Sequence, residues 1–437
     1  MINRILQKRI IYLGIALIYI QLFVFGYESF LFPYFEYAGY SIIGGRRGDT
    51  LMMSLTYLFC LIPVLFFRGI RVISSFLSVF IYFILYVPTI IIFYFALETN
   101  RFHIVYLQVL FLSGMIMLFL ADRIKFKRPI VLYSRINIFK IVYFLLIVFT
   151  LYMLWRYKGN LKLVSFQDVY TQRSETEDIG SDLITSYLSA WLANVLIPIS
   201  LAYGLFSKKR VYFVTATISC VIIYMATASK SVLLFPLIIF LLFKLLKERR
   251  VKAAFSYIGM GLIGLMSFGL LSGFNIFSSL LWMRTIGNSG VLTKDYYMFF
   301  QSHPFTYYTH INVINFFTKS YPYGAKGLGQ VIGPFYYGPL TNANANFWAT
   351  DGIAAVGDFG ILLSSVFLFI IFVIFNSISK NYSKVFLILI LIPYLFSLLN
   401  ASLFSSLLTG GAFFTFFILT FESSKKNIYI NKKPSEN

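Results

Sequence analysis

Residues 340–361 read LTNANANFWATDGIAAVGDFGI. Asn342, Asn344 and Asn346 alternate with alanine, and Asp351 follows just where a long apolar run begins. Asparagine is a good helix cap, and the macrodipole favours a carboxylate near a helix N-terminus. Those two effects account for one of the asparagines or for Asp351. They do not account for three amides in alternation.

Three cations stand near polar groups of this kind. Arg173 is the only base between Lys162 and Lys208, in FQDVYTQRSETEDIGSDLITSYLSAWL. It either pairs with Glu175, Glu177 and Asp178 in a solvated loop or holds phosphate oxygens through two parallel guanidinium hydrogen bonds. Lys230, in MATASKSVLLFP, sits at a tight turn between two apolar runs, flanked by small residues. It either snorkels to a membrane interface or sets a fixed positive charge facing an external cavity. Arg284 opens the stretch WMRTIGNSGVLTKDYYMFFQSHPFTYYTHINVINFFTKSYPYGAKGLGQVIGPFYYGPL, in which His303 and His310 lie near aromatic residues. Each imidazole is either a packed or surface side chain or a group that takes a proton from a hydroxyl. Paired tyrosines, Tyr308 among them, offer aromatic faces and hydroxyls that suit sugars, and they equally suit a membrane interface. GAKGLGQ follows no strand pattern, so it is not a dinucleotide loop.

The elements that carry these residues are apolar. The chain has 437 residues, 59% hydrophobic and only 12% charged, roughly half the charged fraction of a soluble domain. Apolar runs of about 18 residues or more recur, long enough to cross a hydrocarbon core. They predict an all-α polytopic membrane protein forming a single integral membrane domain over 1–437. About twelve transmembrane helices are expected, near 10–27, 50–67, 76–97, 104–120, 138–155, 183–206, 211–228, 231–246, 253–272, 357–376, 385–400 and 404–421. The first run is long and lacks a small-residue cleavage site, so it is expected to remain as an anchor. Cys60 and Cys220 fall inside apolar runs and read as small core hydrophobes.

Charge gives the expected orientation. With both termini cytoplasmic, 25 of the 37 Lys and Arg and 4 of the 16 acids fall on the inner side, leaving the outer side neutral. The positive-inside rule predicts that asymmetry. The net charge of +21 is then topological, and no nucleic-acid partner is expected. Two outer segments stand out: 156–182, and the far longer 273–356 between spans 9 and 10. Connections of that length without a function are uncommon.

Several pieces in order, DVYTQRSE, YLSAWLANVLIPISLAYG, TASKSVLLFPLIIFL, WMRTIGNSGVLTKDYYMFF, THINVINFF with YPYG, and NANFWATDGIAAVGDFGILLSS, resemble the bacterial oligosaccharide repeat-unit polymerases, the Wzy-type O-antigen and capsule polymerases. They span roughly 165–365. The resemblance implies a GT-C-like fold shared with O-antigen ligases, in the bacterial cytoplasmic (inner) membrane. It implies substrates that are polyprenyl-pyrophosphate-linked oligosaccharides. The growing glycan would pass from its carrier to the non-reducing end of a new repeat unit on the outer face. A flippase and a chain-length regulator of the same pathway would be partners. In the related ligases a histidine precedes a glycine by about eleven residues; here that offset places Asn346 before Gly357.

Such a reaction needs cations for the diphosphate, for which Arg173, Arg284 and Lys230 are the candidates, with Arg46 and Arg47 of GGRRGD as helpers or plain loop charges. It needs a group to take the acceptor proton: His303, His310 or Asp351. It needs sugar-orienting groups: Asn344, Asn346 and the tyrosines, including Tyr308. No acid cluster resembles a divalent-metal site, so metal-independent transfer without a cofactor is expected. The rivals are a lipid-linked oligosaccharide flippase or transporter, and an O-antigen ligase. Transporters usually hold ionisable groups in mid-membrane, and the sequence places no acid in the middle of any expected span.

Overall fold

Proline marks where the long helices change pitch. In the computed structural model, π-helical turns at Tyr27–Leu31, Tyr82–Tyr86 and Leu192–Leu196 each end two residues before a proline, Pro33, Pro88 and Pro198. Proline lacks the N–H of the helical ladder and its ring clashes with the carbonyl four residues back; one wider turn absorbs both effects. The structure describes residues 2–124, 130, 132–134, 137–164, 172, 176, 179 and 182–423.

Among these the fold is helical apart from a three-residue parallel pairing of Leu132–Ser134 with Phe421–Ser423. Eight helices among the described residues are long and apolar enough to cross a membrane: Leu6–Ala38, Ile73–Ala96, Arg101–Leu120, Ile138–Arg156, Leu183–Phe206, Arg210–Thr227, Ala254–Leu271 and Asp358–Asn381. The chain is an all-α, multi-pass membrane protein. The other four expected spans are shorter. Thr50–Phe66 and Lys384–Asn400 have 17 residues, and Lys230–Leu245 has 16. Each contains an internal proline: Pro63, Pro393 and Pro236. At 1.5 Å per residue they reach about 24–26 Å, short of a core of about 30 Å. The last expected span is broken into Leu403–Leu407 and Ala412–Thr420, with Gly411 between them at φ 76°. Cys60 and Cys220 are buried, as their apolar surroundings implied.

The chain divides into two compact units. One holds segments 1–125, 252–374 and 397–404; the other holds 126–251, 375–396 and 405–437. The first carries most of the candidate residues. Its centre includes a helix that hydropathy did not reveal. The stretch 273–356, expected as a long loop, is mostly helical: Ile276–Ser279, the π-helical Leu280–Gly287, Asn288–Phe300, Asn312–Thr318, Leu328–Tyr337 and Trp348–Val356. Asn288–Phe300 is buried along nearly its whole length and packs on Val87–Ala96. Gly290 permits the contact, since a Cβ there would lie 3.0 Å from the Pro88 carbonyl group. The Ser289 hydroxyl donates to the Ile84 carbonyl at 2.7 Å. That carbonyl is four residues before Pro88, which has no N–H to give it.

Trp282 fixes the segment that presents Arg284. Its indole is fully buried, stacks near Phe23 and donates to the Met266 carbonyl at 3.3 Å. Gly26 and Gly269 leave room for the ring. Tyr40 donates to the Met283 carbonyl at 2.9 Å. Both neighbours of Arg284 on its N-terminal side are therefore held to other elements.

Candidate functional site: an amide-lined cleft beside Arg284

The alternating asparagines form an extended strip. Successive side chains in extended backbone point to opposite sides, and here Ala343 and Ala345 are buried while Asn342 and Asn344 are exposed. The strip lies on helix Leu328–Tyr337 at two glycines. Ala343 N–H donates to the Gly329 carbonyl at 2.9 Å. A Cβ at Gly329 would run into both amide oxygens of Asn342 and Asn344, and one at Gly333 would run into the Thr341 carbonyl. From the other side the Tyr296 hydroxyl donates to the Ala343 carbonyl at 3.0 Å. The glycines of GLGQVIG thus serve close backbone approach.

The strip forms one wall of a cleft of about 500 Å³. Arg284, Asn288 and Leu292, spaced four apart along one helical face, form a second wall; Ala38, Tyr337 and Asn400 complete it with Met283 and Thr341. Arg284 is exposed and has no hydrogen-bond or ion-pair partner among the described residues. An unpaired guanidinium surrounded by amides can hold an anion bidentately and leave neutral donors and acceptors for attached hydroxyls.

Beneath the cleft lies an ion pair. Lys294 Nζ is 3.2 Å from Asp295 Oδ1 and donates to the Gly39 carbonyl at 2.8 Å. Asp295 Oδ2 accepts the hydroxyl of Tyr337. Burial pushes the Asp295 carboxyl up, with the Lys294 charge and the Tyr337 hydrogen bond pulling the other way.

The chain matches no family model, no curated protein and no solved structure.

Asp351 and His310 meet, but away from the cleft lining. Asp351 is 0% exposed. Its Oδ1 accepts the Ser402 hydroxyl at 2.6 Å and lies 3.4 Å from His310 Nε2, and its Oδ2 accepts the Leu403 N–H. The Thr350 hydroxyl is 3.1 Å from Oδ2. The other His310 nitrogen, Nδ1, is 2.9 Å from Thr306 Oγ1. Both imidazole nitrogens and both carboxylate oxygens are engaged internally, so the pair works as a fastener. Asp351 does not open the long helix either. Trp348–Val356 is a separate short helix ended by Gly357 at φ 71°, and Asp358–Ile378 starts after it. The Gly352 and Gly360 backbones come within about 3 Å of a methyl's position on each other, so the chain doubles back there.

Tyr308 adjoins that fastener. It and Tyr307 have φ of 64° and 46°, uncommon for side chains of this size. The turn hangs from the next element, with Thr306 N–H and Tyr307 N–H donating to the carbonyls of Ala354 and Ala355 at 2.8 and 3.0 Å. The Tyr308 hydroxyl is buried without a hydrogen-bond partner among the described residues. Burial and the nearby Asp351 charge push it up to about 12. It does not line the cleft.

Asn346 is likewise internal. Its amide donates to Thr293 Oγ1 at 2.7 Å and to the Ser289 carbonyl at 3.1 Å, and its oxygen accepts from Trp348 N–H and Ala349 N–H at 3.0 and 3.3 Å. It caps the short helix and leaves no group for a sugar. His303 stacks on Phe299 with centroids 3.8 Å apart, and its Nδ1 lies 2.9 Å from the Phe299 carbonyl; it is a packed imidazole.

Among the described cations, Arg284 alone lines this cleft. Arg173 lies outside the described residues. Lys230 belongs to the second unit, at the start of Lys230–Leu245. Arg46 is buried and donates to the Thr99 carbonyl at 2.9 Å; burial lowers its pKa. Arg47 is exposed beside Glu28 and over Phe32. His103 pairs with Tyr297 and stands 4.0 Å from Asp358. No group of three or more His, Cys, Asp or Glu side chains comes together as a metal site among the described residues. Of the residues singled out from sequence, Arg284 and Asn344 line the cleft together with Asn342 of the same alternation and Tyr337 of the paired tyrosines; Asn288, Asn400 and the Lys294–Asp295 pair were not singled out. Alternation in NANAN was the available signal for Asn342. Asn288 gave none without the tertiary fold, and Tyr337 was one of several paired tyrosines that the sequence does not rank.

Proposed function

We propose that the chain is a glycosyltransferase of the Wzy type. It would polymerise polyprenyl-pyrophosphate-linked repeat units on the outer face of the bacterial cytoplasmic membrane, within a GT-C-like frame of about twelve spans whose termini are cytoplasmic. The growing glycan moves to the non-reducing end of a new lipid-linked unit. The observation that carries this reading is the unpaired Arg284 guanidinium in a cleft otherwise lined by neutral amides. A diphosphate attached to a sugar presents those two chemistries side by side. Arg284 would offset the charge that develops on the leaving pyrophosphate, and Asn342, Asn344 and Asn288 would orient sugar hydroxyls. The order of sequence pieces over 165–365 supports the same class.

A transporter reading has one observation in its favour: Lys294 and Asp295 are buried charges on a helix packed against Val87–Ala96, part of a helix long enough to span. Deleting the gene separates the readings. Loss of a polymerase leaves single repeat units displayed at the surface; loss of a flippase traps them inside; loss of a ligase leaves long chains on the carrier lipid. Gel analysis of surface glycan and of extracted carrier lipid reads all three. An unchanged glycan ladder in the deletion strain rules out the polymerase reading.

A further inference from the structure

Among the described residues lining the cleft, two bear an ionisable side chain, Arg284 and Tyr337. A guanidinium stays protonated in proteins and cannot accept a proton. Any proton released in this cleft therefore has one side chain to meet, the Tyr337 phenol. That phenol is backed by a carboxylate: its hydroxyl donates to Asp295, which is 2% exposed.

The surroundings are built around this contact. Gly39 has φ 88°, and a Cβ there would sit 2.7 Å from the Tyr337 oxygen, so a glycine leaves the hydroxyl its seat. Lys294 joins the Gly39 carbonyl to Asp295. The groups expected to act as bases, Asp351, His310 and His303, are engaged elsewhere or packed.

We infer that Tyr337 and Asp295 form the proton relay of this cleft, with Tyr337 touching the attacking hydroxyl and Asp295 acting through it. The inference rests on the glycosyl-transfer reading above. The acceptor O–H bond breaks, and its proton moves to the Tyr337 oxygen as Tyr337 passes its own proton to Asp295 Oδ2. The acceptor oxygen forms the new bond to the anomeric carbon of the donor. The bond from that carbon to the pyrophosphate oxygen breaks, and the electron pair leaves on pyrophosphate beside Arg284. Tyr337 ends neutral, and Asp295 ends as a carboxylic acid that returns its proton to water once product has gone. Burial makes a carboxylate a better proton acceptor than it is in water, and the phenol need never carry a charge. Asp295 is thus a positioning and proton-accepting residue acting through Tyr337.

The same contacts also hold the turn near Gly39 to helices Asn288–Phe300 and Leu328–Tyr337, so the test must separate proton transfer from architecture. Asp295→Asn keeps an oxygen for the Tyr337 hydroxyl and removes the proton acceptor. Tyr337→Phe removes one hydroxyl and no charge. Each full-length variant replaces the wild type in the deletion strain, where surface polymer is measured. Binding of undecaprenyl pyrophosphate is measured on the same proteins in lipid nanodiscs. We expect polymer to fall by about 100-fold or more in both variants, the scale of general acid–base catalysis, with binding within about twofold of wild type, and Asp295→Glu to recover part of the polymer. Wild-type polymer from either Asp295→Asn or Tyr337→Phe overturns the relay. So does loss of polymer accompanied by loss of carrier binding and thermal stability in both variants, which is the outcome of a purely architectural role. If the deletion itself leaves polymer unchanged, the glycosyl-transfer reading falls, and the relay with it.

Discussion

The Asp351 carboxylate accepts the backbone N–H of Leu403, fifty-two residues further along the chain. Together with Ser402 and His310 it ties the short helix Trp348–Val356 to the start of Leu403–Leu407. Replacing Asp351 by Ala removes the acceptor of the Ser402 hydroxyl and of the buried Leu403 N–H, and the partner of His310 Nε2. At about 1–3 kcal/mol for each orphaned group, the protein should lose about 3 kcal/mol or more. Scanning fluorimetry of purified Asp351→Ala should show a lower Tm, and the cellular level of the protein should fall. Normal stability with lost activity would instead mark Asp351 as a catalytic group.

Arg284 makes no hydrogen bond or ion pair among the described residues and is exposed, so its replacement should cost little stability. Arg284→Ala should keep the wild-type Tm and abolish surface polymer. It should weaken undecaprenyl pyrophosphate binding about 10- to 100-fold, the scale of a lost charge-assisted hydrogen bond. Arg284→Lys keeps the charge without the fork and should fall between the two. Unimpaired polymer in Arg284→Ala would remove this cleft from the reaction.

The two glycines under the asparagine strip should behave differently. A methyl at Gly329 meets chiefly the ends of the Asn342 and Asn344 side chains, which can swing aside, with the Asn344 backbone nitrogen at 3.0 Å. A methyl at Gly333 meets the backbone at Thr341. Gly333→Ala should destabilise by about 1–3 kcal/mol, as overpacking does. Gly329→Ala should keep most of its stability and lose ligand binding, because the amides that move are the ones facing the cleft. Thermal melts beside carrier-binding isotherms distinguish the two effects.

Asn346→Ala and His303→Ala form a contrasting pair. The Asn346 side chain makes four internal hydrogen bonds, and its loss should cost about 3 kcal/mol or more. His303 contributes a stacked ring and a single carbonyl contact. Its loss should cost about 1 kcal/mol and leave polymer within about twofold. A large loss of polymer in stable His303→Ala would restore a chemical role to that imidazole.

The apolar runs made most of the helices legible, because a spanning segment has to be long and apolar whatever surrounds it. The segment 273–356 was misjudged for the same reason. Asn288–Phe300 carries Asn, Ser, Thr, Lys and Asp and reads as solvent-facing. Its burial is possible because Ser289, Thr293, Lys294 and Asp295 find partners on other elements, and those partners cannot be seen in a one-dimensional pattern. The asparagine strip shows where local reasoning stops. Period two correctly separates Asn342 and Asn344 from the alanines. Asn346 continues the spelling but stands where extended chain becomes helix, so its amide turns inward as a cap. His310 and Asp351 were singled out separately, as alternative proton acceptors; that they meet, and are consumed by each other and by Ser402 and Leu403, is a tertiary fact.

Alternation makes residues 341–345 sensitive to chain length as well as to composition. Removing or adding one residue there would exchange the exposed and buried positions, burying amides where Ala343 and Ala345 now sit and moving methyl groups to the exposed positions. Recognition by this wall can therefore change by substitution at Asn342 or Asn344 one position at a time, whereas an insertion or deletion of a single residue would erase it in one step.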